Sequence, residues 1–506
     1  MYQVVYELAR MWSASPVWCF WLAGMTVGFG LGIANIVYNI FFHPLARFPG
    51  PKIRAVSEIP YLRSMISGYA PQDQLALHKR YGPVVRVAPN ELTFNGARAF
   101  RDIYGSAKGR GELAKDKKYY RGIGDTLLTS DTEYHAYLRR LLAPGFSNPA
   151  LRKQELVLND FVDVLVQEID REGGNGKEAV DLVDWFNFFA FDIITFLTYG
   201  ESSACLERSD LRGWVQKFRS LGRPLALAQA VGRLPAVFRY PLMAVLLPRR
   251  LLEDRNAVYS ISREKVEHRL KLDESRVPDF MTKLIDEYRR SNLTFEQLNN
   301  NATFLLAAGS ETLATILAHL TFRLITNPRA LSRAVKEVRN HFASAEEITL
   351  TKVNGCKYLN ACIQEGLRVQ APSPATHPRY TPRGGCTIID ETPIPGDVAV
   401  GVPIYAACRS PTNFRNPDHF VPERWTGEDS AYDFDVKEAA QVFSVGPRDC
   451  LGRNLALAEL KLVIARLLWQ YDMEQCFPND WADQKVFLVW EKTPLMVKLQ
   501  PATTCL

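Results

Sequence analysis

The sequence predicts a mainly α-helical protein with small β-sheets, an α+β fold, behind a single N-terminal transmembrane helix. An uncharged apolar stretch near the N-terminus predicts the transmembrane helix. Long segments with apolar residues at three- and four-residue spacing predict the helices, and short β-prone segments between Gly and Pro turns predict the sheets. The 506 residues are 47% hydrophobic and 23% charged, which excludes disordered, collagen-like and coiled-coil chains.

The N-terminal segment is predicted to be a membrane anchor. Between Arg10 and Arg47 there is no Asp, Glu, Lys or Arg. Residues 17–42 are long enough to cross a hydrocarbon core of about 30 Å, which needs ~20 helical residues. A buried core helix is the alternative, but such helices rarely run this far without a charge. Because basic residues follow the span closely, the positive-inside rule places residues 1–16 in the lumen and the rest in the cytosol.

The remainder of the chain is predicted to be one domain behind a short linker. Residues 43–60 contain the sequence FPGPK, whose prolines fix an extended turn and predict a stiff, Pro-rich linker. Residues 61–506 show no internal repeat and form the globular part. The nine cysteines occur singly, which argues against a disulfide framework. The net charge of +6, without a long basic run, argues against nucleic-acid binding.

Periodicity and capping signals place the main elements. Apolar spacing predicts helices over residues 149–172 and 179–199. A longer helix is predicted to start near Thr294, which forms a T-x-x-Q capping box with Gln297, and to end near Asn327. Its centre is apolar almost all round, so we expect it deep in the core. Shorter β-prone segments lie at 84–96, 386–404 and 485–499.

Polar residues interrupt the centre of that long helix. They are Ala308-Gly309-Ser310-Glu311-Thr312. Burying a carboxylate without a partner is costly, and a glycine within a helix costs about 1 kcal/mol relative to alanine. Two interpretations stay open at this point. Thr312 could bond back to the carbonyl of Ala308 while Glu311 faces solvent, or the helix could present an acid and an alcohol to a ligand.

A second constellation lies near the C-terminus. Cys450 stands just before the predicted helix LALAELKLVIARLLW, in the pattern F-x-x-G-x-R-x-C-x-G. Backbone N–H groups at a helix N-terminus and a neighbouring arginine favour a thiolate. A thiolate held by a glycine-containing loop is the proximal ligand that haem iron needs for O–O cleavage. The alternative is a buried, inert cysteine.

These motifs resemble the cytochrome P450 superfamily of haem-thiolate monooxygenases, and the resemblance covers nearly the whole chain. The central helix matches the oxygen-activation motif A-G-x-[DE]-T at Ala308, Gly309, Glu311 and Thr312. The cysteine loop matches the family signature at Phe443, Gly446, Arg448, Cys450 and Gly452.

Two further motifs occur in the family's order. Glu365 and Arg368 match the E-x-x-R helix, and Arg424 lies in a segment, FVPERW, that matches the family's P-E-R motif. The resemblance implies that these three side chains form a buried structural ion network.

The resemblance also implies roles at the haem. Cys450 would be the axial ligand, and Glu311 with Thr312 would relay protons to the distal oxygen. The haem propionates would be met by His135, Arg139, Arg379 and Arg448. His135 stands where the family usually has tryptophan. Arg140 is better explained as part of a solvated helix face.

Fungal microsomal members with roles in secondary metabolism have the most similar anchor and motif variants. The resemblance therefore implies an endoplasmic-reticulum enzyme whose residues 61–506 form a cytosolic haem-binding catalytic domain. It would use haem b and O2, with electrons from NADPH through a separate reductase and a further contribution from cytochrome b5. Hydroxylation or epoxidation of a lipophilic terpenoid or polyketide intermediate is expected. A non-redox haem enzyme (dehydratase or isomerase) and a non-catalytic haem-binding protein are the alternatives.

Overall fold

A computed structural model describes residues 16–106, 111–120, 124–246, 249–272 and 279–502. The predicted lumenal segment therefore lies outside the described residues, apart from Pro16. The α-helices are α1 Pro16–Val37, α2 Lys52–Val56, α3 Ile59–Ser67, α4 Ala70–Tyr81, α5 Ala97–Tyr104, α6 Thr132–Leu142, α7 Asn148–Gly173, α8 Leu182–Tyr199, α9 Gly213–Ser220, α10 Gly222–Gly232, α11 Ala236–Leu246, α12 Arg249–Arg269, α13 Thr282–Arg289, α14 Phe295–Ile325, α15 Pro328–His341, α16 Leu350–Val353, α17 Lys357–Val369, α18 Ile404–Cys408, α19 Glu423–Thr426 and α20 Arg453–Gln470. The strands are β1 Val84–Ala88, β2 Glu91–Phe94, β3 Ala114–Lys115, β4 Ala179–Asp181, β5 Arg379–Tyr380, β6 Cys386–Ile389, β7 Thr392–Pro395, β8 Ala399–Gly401, β9 Tyr471–Gln475, β10 Val486–Phe487, β11 Val489–Trp490 and β12 Met496–Pro501.

Helix α1 is the candidate membrane anchor. It continues through one π-helical stretch to Phe42, and the most apolar 18-residue window of the span Phe20–Phe42 has a mean hydropathy of 1.6 and no buried residues; Asn39, near the end of the span, is buried. Helices α8 and α14 are also long and apolar, but most of each lies inside the domain. The exposed apolar helix that the sequence predicted is therefore present, and the other two apolar helices belong to the core.

The segment predicted as a linker packs on the domain. The Leu45 side chain is fully buried in a cluster with Leu92 and Phe94. Gly50 adopts a φ of 155°, and a Cβ there would lie 2.5 Å from the carbonyl oxygen of Arg86. The chain thus leaves the anchor along a fixed path rather than through a free tether.

The β-structure is small and formed by distant parts of the chain. One mixed sheet has the strand order β1-β2-β8-β5-β3, in which β2 and β8 are parallel and the other neighbours antiparallel. A second, antiparallel sheet has the order β4-β12-β9, and β6–β7 and β10–β11 form separate two-stranded pairs. All three predicted β-prone segments contain strands.

One helix boundary was predicted wrongly. Residues 179–181, expected to be helical, form β4, which pairs with β12 through the register Asp181↔Met496. The Asp181 side chain then accepts a hydrogen bond from the Val183 N–H and caps α8. A three-residue strand specified by a partner more than 300 residues away leaves no local signal.

Helix α14 lies in the middle of the domain, as the sequence predicted. Thr294 caps it, and the capping box with Gln297 is present in both directions. It contacts α8, α12, α17 and α20. The contact with α8 is close at Gly309, where a Cβ would lie 2.6 Å from the Ile194 side chain. Gly309 is therefore explained by helix packing.

Candidate active site

The loop before α20 fixes Cys450 through its backbone. The Cys450 N–H donates a 2.8 Å hydrogen bond to the Phe443 carbonyl. Gly446 adopts a φ of 82°, and a Cβ there would lie 2.3 Å from the Tyr104 carbonyl oxygen. Only glycine fits this turn without a shift of the loop. Gly452 is the N-cap of α20, so the thiol stands at the start of that helix.

The Cys450 side chain is exposed, and it lines a groove of about 480 Å³ together with Arg139, Phe146, Arg453 and Leu457, among others. The sequence predicted a lowered thiol pKa, and the structure shows the opposite direction. Although Cys450 lines the groove, the protein atoms packed around its thiol desolvate it and raise the pKa of Cys450; the Gly452 N–H lowers this pKa, Asp449 raises it, and Arg139 and Arg453 lower it. A bound metal ion would reverse this balance, because a coordinating thiol is deprotonated outright.

The centre of α14 borders open space inside the domain. Ala307 and Ala308 are exposed although Leu306 before them and Leu313 after them are buried. The Thr312 hydroxyl donates a 2.7 Å hydrogen bond to the Ala308 carbonyl, as in the first of the two interpretations of this segment. Glu311 does not simply face solvent, since its carboxylate is paired with Lys492.

A cluster of cations surrounds Arg448. Its guanidinium binds both carboxylate oxygens of Glu112 at 2.8–3.0 Å and donates to the Ser130 carbonyl at 2.9 Å. Arg379 donates a 3.4 Å hydrogen bond to the Leu113 carbonyl, while its buried Nε has no hydrogen-bond partner among the described residues.

Burial and the neighbouring positive charges lower the pKa values of the other basic groups in the cluster. Burial, then Arg448 and Lys115, lowers the pKa of His135 to about 4. Burial, then Arg379 and Arg448, lowers the pKa of Lys115 to about 7. Burial, then Lys115 and Arg379, lowers the pKa of His377 to about 4. Glu112 is the carboxylate that acts on His135, Lys115 and Arg379 among the described residues, and the Nε of Arg379 has no hydrogen-bond partner there, so the cluster could accept a further anion. The two propionates of haem fit this cluster.

The four predicted propionate-binding residues are linked electrostatically, since Arg139 and Arg448 both act on His135, and Arg448 acts on Arg379. His135, Arg379 and Arg448 interact electrostatically within the cluster. Arg139 is also bonded to Asp449, through the backbone carbonyl at 2.8 Å and through an ion pair with the carboxylate. It therefore borders the cysteine groove.

Sequence reasoning missed Lys115, His377 and Glu112. His377 lies two residues before Arg379, in the chain just ahead of β5, and no motif marks it. Lys115 and Glu112 lie in a short segment with no motif, and only the pairing of β3 with β5 brings them to the cluster.

The predicted ion network is present and fully buried. Arg368 binds the two oxygens of Glu365 at 2.7 and 2.8 Å, and Arg424 binds the same carboxylate at 3.1 Å. Glu365 also accepts hydrogen bonds from the Trp425 indole and the Val421 N–H, both at 2.9 Å. The remaining donors of Arg368 reach backbone carbonyls, which joins α17 to the chain before α19. The network is a structural support because every polar atom is satisfied by protein.

Comparisons with known proteins agree with this geometry. A family model described as Cytochrome P450 matches residues 51–499. Cytochrome P450 monooxygenase hepD of Aspergillus oryzae is 39% identical, with 92% of each chain covered. Averantin hydroxylase of Dothistroma septosporum is 36% identical over 93% of this chain and 89% of its own. Trichothecene C-15 hydroxylase of Fusarium sporotrichioides is 36% identical, over 95% of this chain and 98% of its own. The chain therefore belongs to the cytochrome P450 family, the haem-thiolate monooxygenases.

Proposed function

We propose that this protein is a membrane-anchored monooxygenase that hydroxylates or epoxidises a lipophilic secondary-metabolite intermediate, with Cys450 as the axial ligand of haem b. The observation that carries the proposal is the position of the Cys450 thiol. It stands at the N-terminus of α20 and on the wall of an open groove. The loop that carries it contains Gly446, at a position where a larger residue would collide with the Tyr104 backbone.

Different residues would bind the iron and the propionates of the haem. Cys450 would bind the iron, while the basic groups of the cluster would meet the propionates: His135, Arg139, Arg379, Arg448 and Lys115. Thiolate-ligated haem supplies the activation of O2, which no amino-acid side chain can perform. The role of the protein is to exclude water from the reaction, to orient the substrate and to deliver protons.

Glu311 and Thr312 are the proposed proton-delivery groups. The Thr312 hydroxyl donates to the Ala308 carbonyl, so its oxygen remains available as an acceptor. Glu311 lies three residues beyond Ala308, on the face of α14 that borders open space. Thr312→Ala should uncouple NADPH use from product formation and release hydrogen peroxide. Unchanged coupling would count against the relay.

The substrate is proposed to be lipophilic and to arrive from the membrane. Helix α10 contacts both α3 and α11. On α11 the side chains of Val237, Phe238 and Val245 are more than 60% exposed, and Ile59 at the start of α3 is 69% exposed. Such a concentration of exposed apolar side chains is typical of a membrane-contacting surface. This surface and α1 support a location at the endoplasmic-reticulum membrane with the domain in the cytosol.

Electrons are proposed to come from an NADPH–cytochrome P450 reductase, with cytochrome b5 as a second donor. Arg453 and Arg140 are exposed, and Arg453 lines the groove that contains Cys450. Cations there would attract an acidic electron carrier. Normal turnover of charge-reversed variants at low salt would contradict this docking site, because steering is strongest there.

The substrate class is proposed from two kinds of support. Two relatives are named for hydroxylating averantin and the C-15 position of trichothecenes, which supports hydroxylation of a fungal terpenoid or polyketide here. The test is a spectral binding titration of the purified protein against a terpenoid and polyketide panel, followed by turnover with reductase and NADPH. We expect an NADPH-dependent product one oxygen atom heavier for at least one binder. Binding followed by isomerisation or dehydration without NADPH would favour a non-redox haem enzyme.

A further inference from the structure

The carboxylate of Glu311 is held by a buried lysine from the C-terminal part of the chain. Lys492 pairs with Glu311 through Oε1, and its ammonium also donates a 2.8 Å hydrogen bond to the Thr315 hydroxyl. The Lys492 side chain is 1% exposed, whereas the Glu311 side chain is 24% exposed. The ammonium is thus enclosed by protein while the carboxylate borders open space.

Thr315 completes a closed arrangement. Its hydroxyl donates a 2.7 Å hydrogen bond to the backbone carbonyl of Glu311 and accepts one from Lys492. Lys492 therefore contacts α14 at two successive turns, and the Glu311 side chain has one cation fixing its direction. A carboxylate on a helix surface would otherwise sample several rotamers.

The backbone around Lys492 is itself anchored. The Glu491 N–H donates to the Lys485 carbonyl at 2.8 Å, and the Leu495 N–H donates to the Asp181 carboxylate at 2.9 Å. The Trp490 indole donates to the Ala371 carbonyl at 2.8 Å. These bonds hold the chain around Lys492 in place, so the position of the lysine does not change when the Glu311 carboxylate changes rotamer.

Placing an ammonium here is costly. Burial lowers the pKa of Lys492, Glu311 opposes that shift, and the nearby Arg219 adds to it. A methionine would fill the same volume without this cost, and a buried charge pair is often no more stable than apolar residues. Fold stability therefore does not explain a lysine at this position.

We propose that Lys492 is a positioning residue for oxygen activation: with Thr315 it holds the Glu311 carboxylate at the wall of the open space beside Ala308. This inference rests on the proposed role of Glu311 in proton delivery. Lys492 itself transfers no proton in this account. Its contribution is to fix one oxygen of the carboxylate so that the other is presented in a constant direction.

The test is a double-mutant cycle with Lys492→Met, Glu311→Gln and the double variant in the full-length holoenzyme. Each protein is supplied with purified reductase and NADPH without added substrate, and hydrogen peroxide released per NADPH consumed is measured. We expect Lys492→Met to raise this ratio toward its limit of one peroxide per NADPH, which is set by the two electrons that each NADPH supplies. The effect should vanish in the Glu311→Gln background, and Lys492→Arg should restore much of the native ratio. Lys265→Met is the matched control, because it breaks an ion pair with a different carboxylate, that of Glu201, which is 36% exposed.

A second readout separates positioning from stability. Urea unfolding is measured for the native protein, Lys492→Met, Glu311→Gln and the double variant. The unfolding free energies should show a coupling between residues 311 and 492, with the double variant more stable than Lys492→Met alone. If Lys492→Met does not accumulate, the double variant decides, because removing both charges should restore folding; its failure as well would overturn the proposal.

The outcomes distinguish the role of Glu311 in proton delivery from the role of Lys492 in positioning it. A normal peroxide ratio in Glu311→Gln would remove the proposed role of Glu311 itself. A changed ratio in Glu311→Gln but not in Lys492→Met would overturn the positioning role alone. A Lys492→Met effect that persists in the Glu311→Gln background would show that the lysine acts independently of the carboxylate, and would also overturn it.

Discussion

Replacement of Glu365 by glutamine should destabilise the domain far more than any surface change. The substitution keeps the shape of the side chain but leaves the charge of Arg368 buried without an anion and leaves Arg424 with the Asp435 carboxylate alone; the side chains of Glu365, Arg368 and Arg424 have no exposed surface. Removing one partner of a buried ion pair costs about 3–5 kcal/mol. The hydrogen bonds from Trp425 and Val421 would also weaken, so we expect a value toward the upper end.

Glu423→Gln is the matched control for this experiment. Glu423 lies two residues before Trp425, accepts a 3.0 Å hydrogen bond from the Tyr358 hydroxyl, and pairs with Arg333, whose side chain is 38% exposed. Pairs with an exposed partner contribute about 0–1 kcal/mol. Urea unfolding of detergent-solubilised full-length proteins measures both variants. A Glu365→Gln loss within about 1 kcal/mol of the control would refute the assignment of the network as the main support of this region.

Three further predictions follow from buried groups and backbone geometry. Burial alone raises the pKa of Glu459 from 4.5 to about 8, so the native protein should lose stability as the pH rises through that interval. In urea unfolding, Glu459→Gln should therefore be about 3 kcal/mol more stable than the native protein at pH 7 and equally stable at pH 4. Gly446→Ala should lower haem content severely because the new Cβ meets the Tyr104 carbonyl, whereas Gly385→Ala, with nothing within 4 Å of its Cβ, should not; equal haem contents would contradict this geometry. For Lys115, a pKa of about 7 against 10.5 means that the unfolded chain binds more protons between these values, so the stability of the haem-free protein should rise with pH there. The Lys115→Met variant should lose that rise, and an unchanged slope in urea unfolding would place Lys115 outside the cation cluster.

Local signals in the sequence predicted the elements that local interactions build. The capping box at Thr294 placed the start of α14, and the spacing of Glu365 and Arg368 predicted their contact. The loop around Cys450 was recognisable because a φ of 82° restricts Gly446 and because α20 follows at once. In each case the interacting groups lie within about ten residues of one another.

Features that depend on distant chain segments were not predictable. Lys492 reaches Glu311 across 181 positions, and nothing in its own neighbourhood marks it. The ion pair of Arg139 with the Asp449 carboxylate, 310 positions away, was likewise not predictable from the motif that contains Arg139. The direction of the Cys450 pKa also depended on burial, which a linear motif does not report.

The reduced, carbon-monoxide-bound absorption spectrum of membranes containing the full-length protein tests the central claim most directly. With Cys450 as the axial ligand, we predict the strongly red-shifted Soret band of a thiolate-ligated haem, and its loss in Cys450→Ser. Cys476→Ser is the control, because that exposed cysteine lies outside the groove. A red-shifted band that survives in Cys450→Ser, or a band typical of histidine-ligated haem in the native protein, would contradict Cys450 as the ligand.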